Sequence, residues 1–210
     1  MHKELRRLLE RYPDLAPCGP DIEKAFELLR DSFASGGKAL FCGNGGSAAD
    51  SEHIVGELMK GFMLKRPLPE PMRRRLYDLF PEDGPALGDR LQGALPAISL
   101  VSQTALQTAI ANDTDADLVF AQQVYGYAQP EDCLLVLSTS GNSKNVVRAV
   151  QVAKAFGIST VGMTGEHGGM LHRLCDVTIR VPYTDTPDVQ ERHLPIYHAL
   201  CMMLEEAFFR

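Results

Sequence analysis

Five short apolar runs, separated by longer stretches of helical character, restrict the fold of this chain more than any other feature. The runs are Ala39–Cys42, Ala97–Val101, Cys133–Leu137, Ser159–Met163 and Val177–Val181. Short apolar runs of this kind are typical of strands that are buried on both faces of a parallel sheet. The sequence therefore predicts an α/β fold with a doubly wound five-stranded parallel sheet, flavodoxin-like or Rossmann-like, covered by helices on both sides.

Helical spacing of apolar residues predicts two helices before the sheet, within residues 1–36, and three later ones. The later helices are expected from Ser47 to Phe62, from Ser143 to Phe156 and from Pro187 to Phe208. A chain of 210 residues is long enough for one well-buried α/β domain and short for two. We therefore expect one domain over residues 1–210.

One segment, residues 64–93, breaks this alternation. It is rich in proline and carries the basic cluster Arg73-Arg74-Arg75. This composition predicts an inserted, extended connection with one short helix around Arg74 to Leu79. Two interpretations stay open: a solvated surface insertion, or a lid or arm that contacts another subunit.

Composition excludes several classes of partner. The formal net charge of −6 argues against general affinity for nucleic acid or an anionic membrane, because both require an excess of Lys and Arg. No apolar stretch approaches the roughly 20 residues that span a bilayer, and the N-terminus is too polar for a signal peptide. The five cysteines show no CxxC spacing, which favours buried thiols in a reducing cytoplasm.

Two polar loops follow predicted strands directly, and both suit an anion. They are Gly43–Ser47 and Ser138–Ser143, the second with four hydroxyls within six residues. Hydroxyl donors and backbone N–H groups at a helix start form a neutral phosphate cradle. The alternative for Ser138–Ser143 is a turn that merely caps its helix, although capping needs only one such side chain. A dinucleotide or nucleoside triphosphate site is not indicated, since the acidic residue and the lysine expected of such sites are missing.

Two pairs of residues could do chemistry beside the anion. His53 and Glu57 are four residues apart on a predicted helix, so their side chains share a face. Gln190 and His198 lie on the last helix, with Pro195 between them as a potential kink. A His/Glu pair at this spacing is commonly a surface ion pair. Next to the anion loops, however, the pairs indicate an enzyme that acts on a small phosphorylated substrate.

At these residues the chain resembles the sugar isomerase (SIS) domain proteins and, within them, the sedoheptulose-7-phosphate isomerase (phosphoheptose isomerase) family. The resemblance covers nearly all of the chain outside residues 64–93. It rests on the segments CGNGGSAADSEHIVGEL, AIANDTDADLVFAQQV, LSTSGNSKNVVRA and VQERHLPIYHAL, in family order and spacing. It implies an SIS domain and an aldose–ketose isomerase that converts D-sedoheptulose 7-phosphate into D-glycero-D-manno-heptose 7-phosphate through an enediolate.

The resemblance also implies roles for individual residues. Glu57 is expected to be the catalytic base and His198 the acid, and Gln190 is expected to contact the substrate. The implied zinc ligands are His53, Glu57, Gln190 and His198, whereas His193 is expected to be structural. The implied sugar site consists of Asn44, Gly45, Gly46, Asn112 and Asp113, and the implied phosphate site of Ser138, Thr139, Ser140 and Ser143, with Ser47 nearby.

Alternatives remain at the level of the sequence. A non-catalytic phosphosugar-binding regulator, of the type that binds the bacterial replication initiator, would keep the loops but lose the acid and base; this chain has both Glu57 and His198. A five- or six-carbon ketose phosphate is an alternative substrate. The family resemblance and the amphipathic N-terminal helices predict a homotetramer with sites completed across subunits.

Overall fold

The computed structural model describes all of residues 1–210 and contains one five-stranded sheet, in which every paired neighbour is parallel. The strands are β1 (Ala39–Cys42), β2 (Ala97–Ser99), β3 (Cys133–Leu137), β4 (Ser159–Thr164) and β5 (Val177–Arg180). Their order across the sheet is β2-β1-β3-β4-β5. This is the flavodoxin-like order, so the predicted α/β fold and its five strands are confirmed.

Ten α-helices surround the sheet. They are α1 (Lys3–Arg11), α2 (Gly19–Ala34), α3 (Gly46–Leu58), α4 (Glu70–Leu79), α5 (Gly84–Arg90), α6 (Thr104–Asp113), α7 (Val119–Tyr127), α8 (Lys144–Ala155), α9 (Gly169–Leu174) and α10 (Thr186–Phe209). Short 3₁₀ turns occupy Pro13–Cys18 and Ala116–Leu118. None of the helices is both long and apolar enough to cross a membrane.

Alternation along each strand divides the core into two layers. In β1, Ala39 and Phe41 face a cluster formed with α1, α2, α3 and α10. Leu40 and Cys42 face the opposite cluster, which α6 to α9 complete. Because successive strand side chains point to opposite faces, an uninterrupted apolar strand serves both layers.

Helices α6 and α7 were not foreseen from the sequence, and α3 ends at Leu58 rather than at Phe62. Of the residues in α6, only Ile110 is buried, so the helix carries no apolar stripe of the kind that reveals a helix in a sequence. Helix α10 was foreseen almost to the residue and continues through Pro195.

The segment of residues 64–93 contains two helices, α4 and α5. The short helix expected around Arg74 to Leu79 lies within α4, whereas the extended connection expected around it was wrong. Pro71 and Pro85 stand in the first turns of α4 and α5, where proline favours a helix start because no intrahelical N–H is needed there. Tyr77 and Arg73 both donate to Asp89 and tie the two helices together. No residue of α4 is buried.

A buried ion pair joins the start of this segment to α10 and to the end of α3. The side chains of Arg66 and Glu205 are fully buried, and Arg66 Nε donates to Glu205 Oε1 at 2.8 Å. The other guanidinium nitrogens donate to the carbonyl oxygens of Leu58 and Glu57 at 2.7 and 3.2 Å. The carboxylate also accepts the backbone N–H groups of Phe62, Met63 and Leu64. Burial alone would raise the pKa of Glu205, but these donors hold it below its ordinary value.

Candidate active site

The strand order brings the two predicted anion loops together. Strands β1 and β3 are hydrogen-bonded neighbours, so the loops that follow them, Gly43–Ser47 and Ser138–Ser143, leave the same edge of the sheet side by side. The order of strands reverses between β1 and β3, with β2 on one side and β4 and β5 on the other. Crevices at such switch points are where doubly wound sheets bind ligands.

The Ser138–Ser143 loop has donors that the protein itself does not use. Ser138 Oγ and Ser143 Oγ lie 3.0 Å apart, and the Ser143 side chain does not cap α8. The backbone N–H groups of Thr139, Ser140 and Ser143 make no hydrogen bond within the protein. Hydroxyls and free N–H groups at a helix start suit an anion, and the lack of a side-chain cap argues against a turn that only caps its helix.

Gly141 allows the backbone conformation of this loop. Its φ of +67° lies in the left-handed region, and a Cβ atom there would meet the carbonyl oxygen of Gly168 at 2.1 Å. The amide N–H of Leu171 donates to the Gly141 carbonyl oxygen, and Asn142 Oδ1 accepts from the N–H of Met170. The loop is therefore anchored from behind by α9, and a side chain at position 141 would displace it.

A pair of amides links the first loop to α8. Asn44 Nδ2 donates to Asn145 Oδ1 at 2.9 Å, and Asn145 Nδ2 donates to Asn44 Oδ1 at 3.0 Å. This reciprocal bond sets the separation of the two loops. Sequence reasoning missed Asn145, because its partner is 101 residues away and no local pattern indicates the contact.

Three of the predicted catalytic and metal-binding side chains come together. Helix α3 carries His53 and Glu57, and their atoms Nε2 and Oε1 lie 3.4 Å apart. His198 reaches the same point from α10, with its Nε2 3.4 Å from His53 Nε2. Two imidazole nitrogens at this separation can share one proton or face one cation.

The spacing of the trio suits zinc. Around a tetrahedral zinc ion with bonds of about 2.0–2.1 Å, two ligand atoms are about 3.3 Å apart. Both measured separations are close to that value. No cluster of three or more His, Cys, Asp or Glu side chains is already spaced as a complete metal site. The trio therefore has fitting donors and needs a side-chain adjustment and a further ligand to close.

The two carboxylate oxygens of Glu57 have different neighbours. Oε1 faces His53, and Oε2 accepts from Lys60 Nζ at 3.1 Å. The side chain of Glu57 is 14% exposed. One oxygen can thus serve the imidazole pair while the other faces an ammonium group at the mouth of the site. Lys60 was not among the residues singled out in the sequence.

The charge state of His198 follows from its position. Burial and the neighbouring His53 imidazole lower the pKa of His198 below its ordinary value, although Glu57 opposes this effect. His198 is therefore neutral at pH 7. A neutral imidazole can bind a metal ion through one nitrogen and donate a hydrogen bond from the other.

Gln190 and the end of α6 stand apart from the trio. The Gln190 amide packs on Gly46, where a Cβ atom would meet Nε2 at 2.6 Å. Asn112 and Asp113 are exposed at the end of α6, and the Asn112 side chain donates to Asp113 at 2.8 Å. Within one subunit no hydrogen bond joins Asn112 or Asp113 to the loops or the trio.

Ser47 and the first loop complete the near side of the crevice. Ser47 is buried at the first turn of α3, and Gly45 turns the chain into the helix with φ +57°. A Cβ atom at Gly43 would meet Ser47 at 2.7 Å. The loop therefore folds tightly against its own helix, with Gly45 and Gly46 at its exposed tip.

Tyr197 contacts His53 and links it to Asp50. Tyr197 places its hydroxyl oxygen 3.0 Å from His53 Nδ1 and 3.1 Å from Asp50 Oδ1. Burial raises the pKa of Asp50 despite the hydrogen bond from Tyr197. Neither residue was singled out in the sequence. The only feature of the sequence that could have pointed to Tyr197 is its position, as an aromatic residue next to His198 in an apolar helix.

His193 lies in the core. It is fully buried, its Nε2 faces the carbonyl oxygen of Thr164 at 3.4 Å, and its Nδ1 has no hydrogen-bond partner. Burial lowers the pKa of His193 to about 4.

Comparison with known proteins identifies relatives that span the chain. The SIS-domain family model matches residues 3–74 and 87–165. Phosphoheptose isomerase from Rhodospirillum rubrum is 37% identical over 211 residues, covering 99% of this chain and 98% of the relative. Phosphoheptose isomerase from Akkermansia muciniphila is 32% identical and covers 100% and 97%.

Solved structures give the same result. A phosphoheptose isomerase from Francisella tularensis superposes with a TM-score of 0.74 at 30% identity, covering 89% of this chain and 86% of the other. The phosphoheptose isomerase of Neisseria gonorrhoeae gives 0.67 at 30% identity and covers 95% and 98%. Fold and length both agree with those enzymes.

We expect His193 to make stability depend on pH. Its pKa is lower in the folded state than in the unfolded chain, so its contribution is fully present above the unfolded value of about 6.5 and is lost as the pH falls toward 4. Urea unfolding at pH 7.5 and pH 4.5 should show a loss of stability that is smaller in His193→Leu by roughly 2–3 kcal/mol. The exposed control His167→Gln should behave like the wild type. Equal losses in all three proteins would contradict this role.

Proposed function

The chain belongs to the SIS-domain family and, within it, to the phosphoheptose isomerases, and we propose that it interconverts D-sedoheptulose 7-phosphate and D-glycero-D-manno-heptose 7-phosphate. The protein is an isomerase of a phosphorylated sugar. The observation that carries the proposal is that α3 begins at the loop beside the unused anion donors and carries His53 and Glu57, which meet His198. A non-catalytic regulator would have no need of the trio.

The length of the substrate fits this arrangement. Ser47 begins α3 beside the cradle, and six residues of helix at 1.5 Å each put His53 about 9 Å further along the helix axis. The sugar carries its phosphate on carbon 7 and its carbonyl group on carbon 2. A substrate with its anion and its reactive end far apart can occupy the cradle and the trio together.

The isomerisation moves a proton from carbon 1 of the ketose to carbon 2. Glu57 Oε2 takes the proton from carbon 1, which yields an enediolate, and then returns a proton to carbon 2. The hydroxyl proton on O1 passes to O2 through His198, the proposed acid, so that the carbonyl group moves from carbon 2 to carbon 1. His198, neutral at pH 7, donates a hydrogen bond to the sugar oxygen on which negative charge develops, in the way a neutral imidazole stabilises enediolates elsewhere.

The remaining sugar and phosphate contacts follow from the loops. The phosphate accepts from the hydroxyl and backbone donors of Ser138, Thr139, Ser140 and Ser143, with Ser47 close by. Asn44, Gly45 and Gly46 line the sugar from the opposite side of the crevice, and Gln190 reaches it over Gly46. Holding the substrate at both ends orients carbon 1 toward Glu57.

We further propose a zinc ion held by His53, Glu57, Gln190 and His198. The support is the donor set and the 3.4 Å separations within the trio. Bound zinc would polarise the sugar carbonyl group and help to offset the charge of the enediolate. His198 would then face the metal through Nε2 and keep its proton on Nδ1 for the sugar oxygen.

A homotetramer with sites at subunit interfaces completes the proposal. Asn112 and Asp113, exposed at the end of α6, would reach the sugar of a neighbouring subunit. The exposed apolar residue Leu106 on the same helix supports a contact there. Sedimentation at micromolar concentration tests this assembly, and a fully active monomer would refute it.

The proposed setting is the cytoplasm, with a small sugar phosphate as partner and neither nucleic acid nor membrane. All five cysteines are free thiols, four of them buried, as expected in a reducing compartment. The net charge of −6 leaves the capture of an anion to local donors.

Replacing the base should remove the chemistry and spare the binding. Glu57→Gln should retain the fold and bind sugar phosphate, but turn it over slower by about two orders of magnitude or more, because an amide cannot take the proton. The assay should run over seven-, six- and five-carbon ketose phosphates, with the seven-carbon sugar preferred. Glu52→Gln, on the exposed face of the same helix, is the matched control and should stay active. Near-normal turnover in Glu57→Gln would remove Glu57 from the mechanism.

Removing hydroxyls from the cradle should weaken binding only for phosphorylated sugars. The double change Ser140→Ala with Ser143→Ala removes two donors, each hydrogen bond to a charged group contributing about 1.5–3 kcal/mol. Calorimetry should therefore show weaker binding of sedoheptulose 7-phosphate and unchanged binding of sedoheptulose. Equal weakening of both would mean that the loop holds another part of the ligand.

The zinc content should depend on the proposed ligand side chains and on their protonation. Purified wild-type protein is expected to contain one zinc per subunit, to lose it as the pH falls through the histidine range, and to lose metal and activity together in His53→Ala. His193→Ala should keep its metal, since His193 lies in the core. Full activity in a metal-free preparation would refute the zinc proposal and leave the roles of Glu57 and His198 intact.

A further inference from the structure

A hydrogen-bonded chain of three side chains, Asp50, Tyr197 and His53, leads into the trio. Tyr197 is 1% exposed and lies between Asp50 and His53. Its hydroxyl oxygen is 3.1 Å from Asp50 Oδ1 and 3.0 Å from His53 Nδ1. The tyrosine ring also meets the rings of His53 and His198 edge-on, at centroid distances of 5.5 and 5.0 Å. Both histidines of the trio are thus packed against one aromatic side chain.

The donors and acceptors in this chain have one consistent direction. A carboxylate only accepts, so the single proton of the Tyr197 hydroxyl goes to Asp50. The phenolic oxygen is then left to accept, and the only group that can donate to it is a proton on His53 Nδ1. A neutral imidazole with its proton on Nδ1 has a lone pair on Nε2. That nitrogen is the one that faces Glu57 and His198 at 3.4 Å.

We propose that Asp50 and Tyr197 are positioning residues, which fix His53 in the Nδ1-protonated form and turn its Nε2 lone pair into the centre of the trio. Groups behind a ligating histidine set both the tautomer and the orientation of its ring. Asp50 sits one turn before His53 on α3, whereas Tyr197 adjoins His198 on α10. The chain therefore also sets the distance between the two helices that carry the reactive side chains.

The assignment gives Tyr197 a role that packing does not explain. Replacing Tyr197 by Phe keeps the ring, its burial and its contacts with both histidines. Only the hydroxyl group is lost, and with it the link from Asp50 to His53. A purely structural tyrosine would tolerate this change without an effect on the state of His53.

Two measurements test the proposal: NMR spectra of the metal-free protein and the affinity of the protein for zinc. Long-range ¹H–¹⁵N spectra of the metal-free wild type should show His53 protonated on Nδ1, and Tyr197→Phe should mix the two tautomers. Zinc affinity, measured by competition with a chromophoric chelator, should fall about 10–100-fold in Tyr197→Phe and in Asp50→Asn. Tyr183→Phe is the matched control, because its hydroxyl bonds to Asp14 and lies outside the trio.

The zinc-affinity measurement rests on the proposed zinc site, whereas the NMR measurement does not, so the failure of one proposal can be distinguished from the failure of the other. If the wild type binds no zinc, the metal site fails and the tautomer spectra decide the positioning role alone. A wild-type His53 protonated on Nε2, as would follow from a protonated Asp50 that reverses the chain, would overturn the proposal. So would a Tyr197→Phe protein with the spectra and zinc affinity of the Tyr183→Phe control.

Discussion

The buried ion pair between Arg66 and Glu205 holds together the three parts of the chain on which the site depends. Its guanidinium group takes the last carbonyl oxygens of α3, and its carboxylate takes the N–H groups of the turn that follows. One of those carbonyl oxygens belongs to Glu57. Losing one partner of such a pair costs about 3–5 kcal/mol, because the other charge is left buried and unpaired. These hydrogen bonds therefore hold in place the end of α3 that carries Glu57, the candidate base.

An acidic protein has to capture a phosphate without a field of positive charge to draw it in. We propose that the Ser138–Ser143 loop does so, because it has unused hydroxyl and N–H groups at the start of α8. The Asn44–Asn145 pair fixes the opposite loop, and Gly141 supplies a backbone conformation that a side chain would forbid. Local hydrogen-bond donors at fixed separations thus take the place of a positive net charge in binding the anion. The histidines and Glu57 are then free to take part in the reaction.

Much of this architecture can be predicted from the sequence, because its signals are local. Apolar runs define the strands, and the glycine- and serine-rich loops follow them directly. The His53–Glu57 pair is a contact within one helix. What could not be predicted depends on partners far along the chain: Asn145 with Asn44, Tyr197 with Asp50, and Glu205 with Arg66. Helix α5 and the first turn of α4 were missed for another reason: in a sequence, a proline that starts a helix cannot be distinguished from a proline that breaks one.

Solvent deuterium tests the central claim, that this crevice isomerises a ketose phosphate by proton transfer through an enediolate. Sedoheptulose 7-phosphate would be converted in D₂O and the product followed by NMR spectroscopy. We expect an aldose product with deuterium on carbon 2, because the proton returned by Glu57 exchanges with solvent through the open mouth of the site. A product without solvent deuterium would contradict a proton transfer that exchanges with solvent at Glu57, and the absence of any aldose product would mean that the protein does not catalyse this reaction.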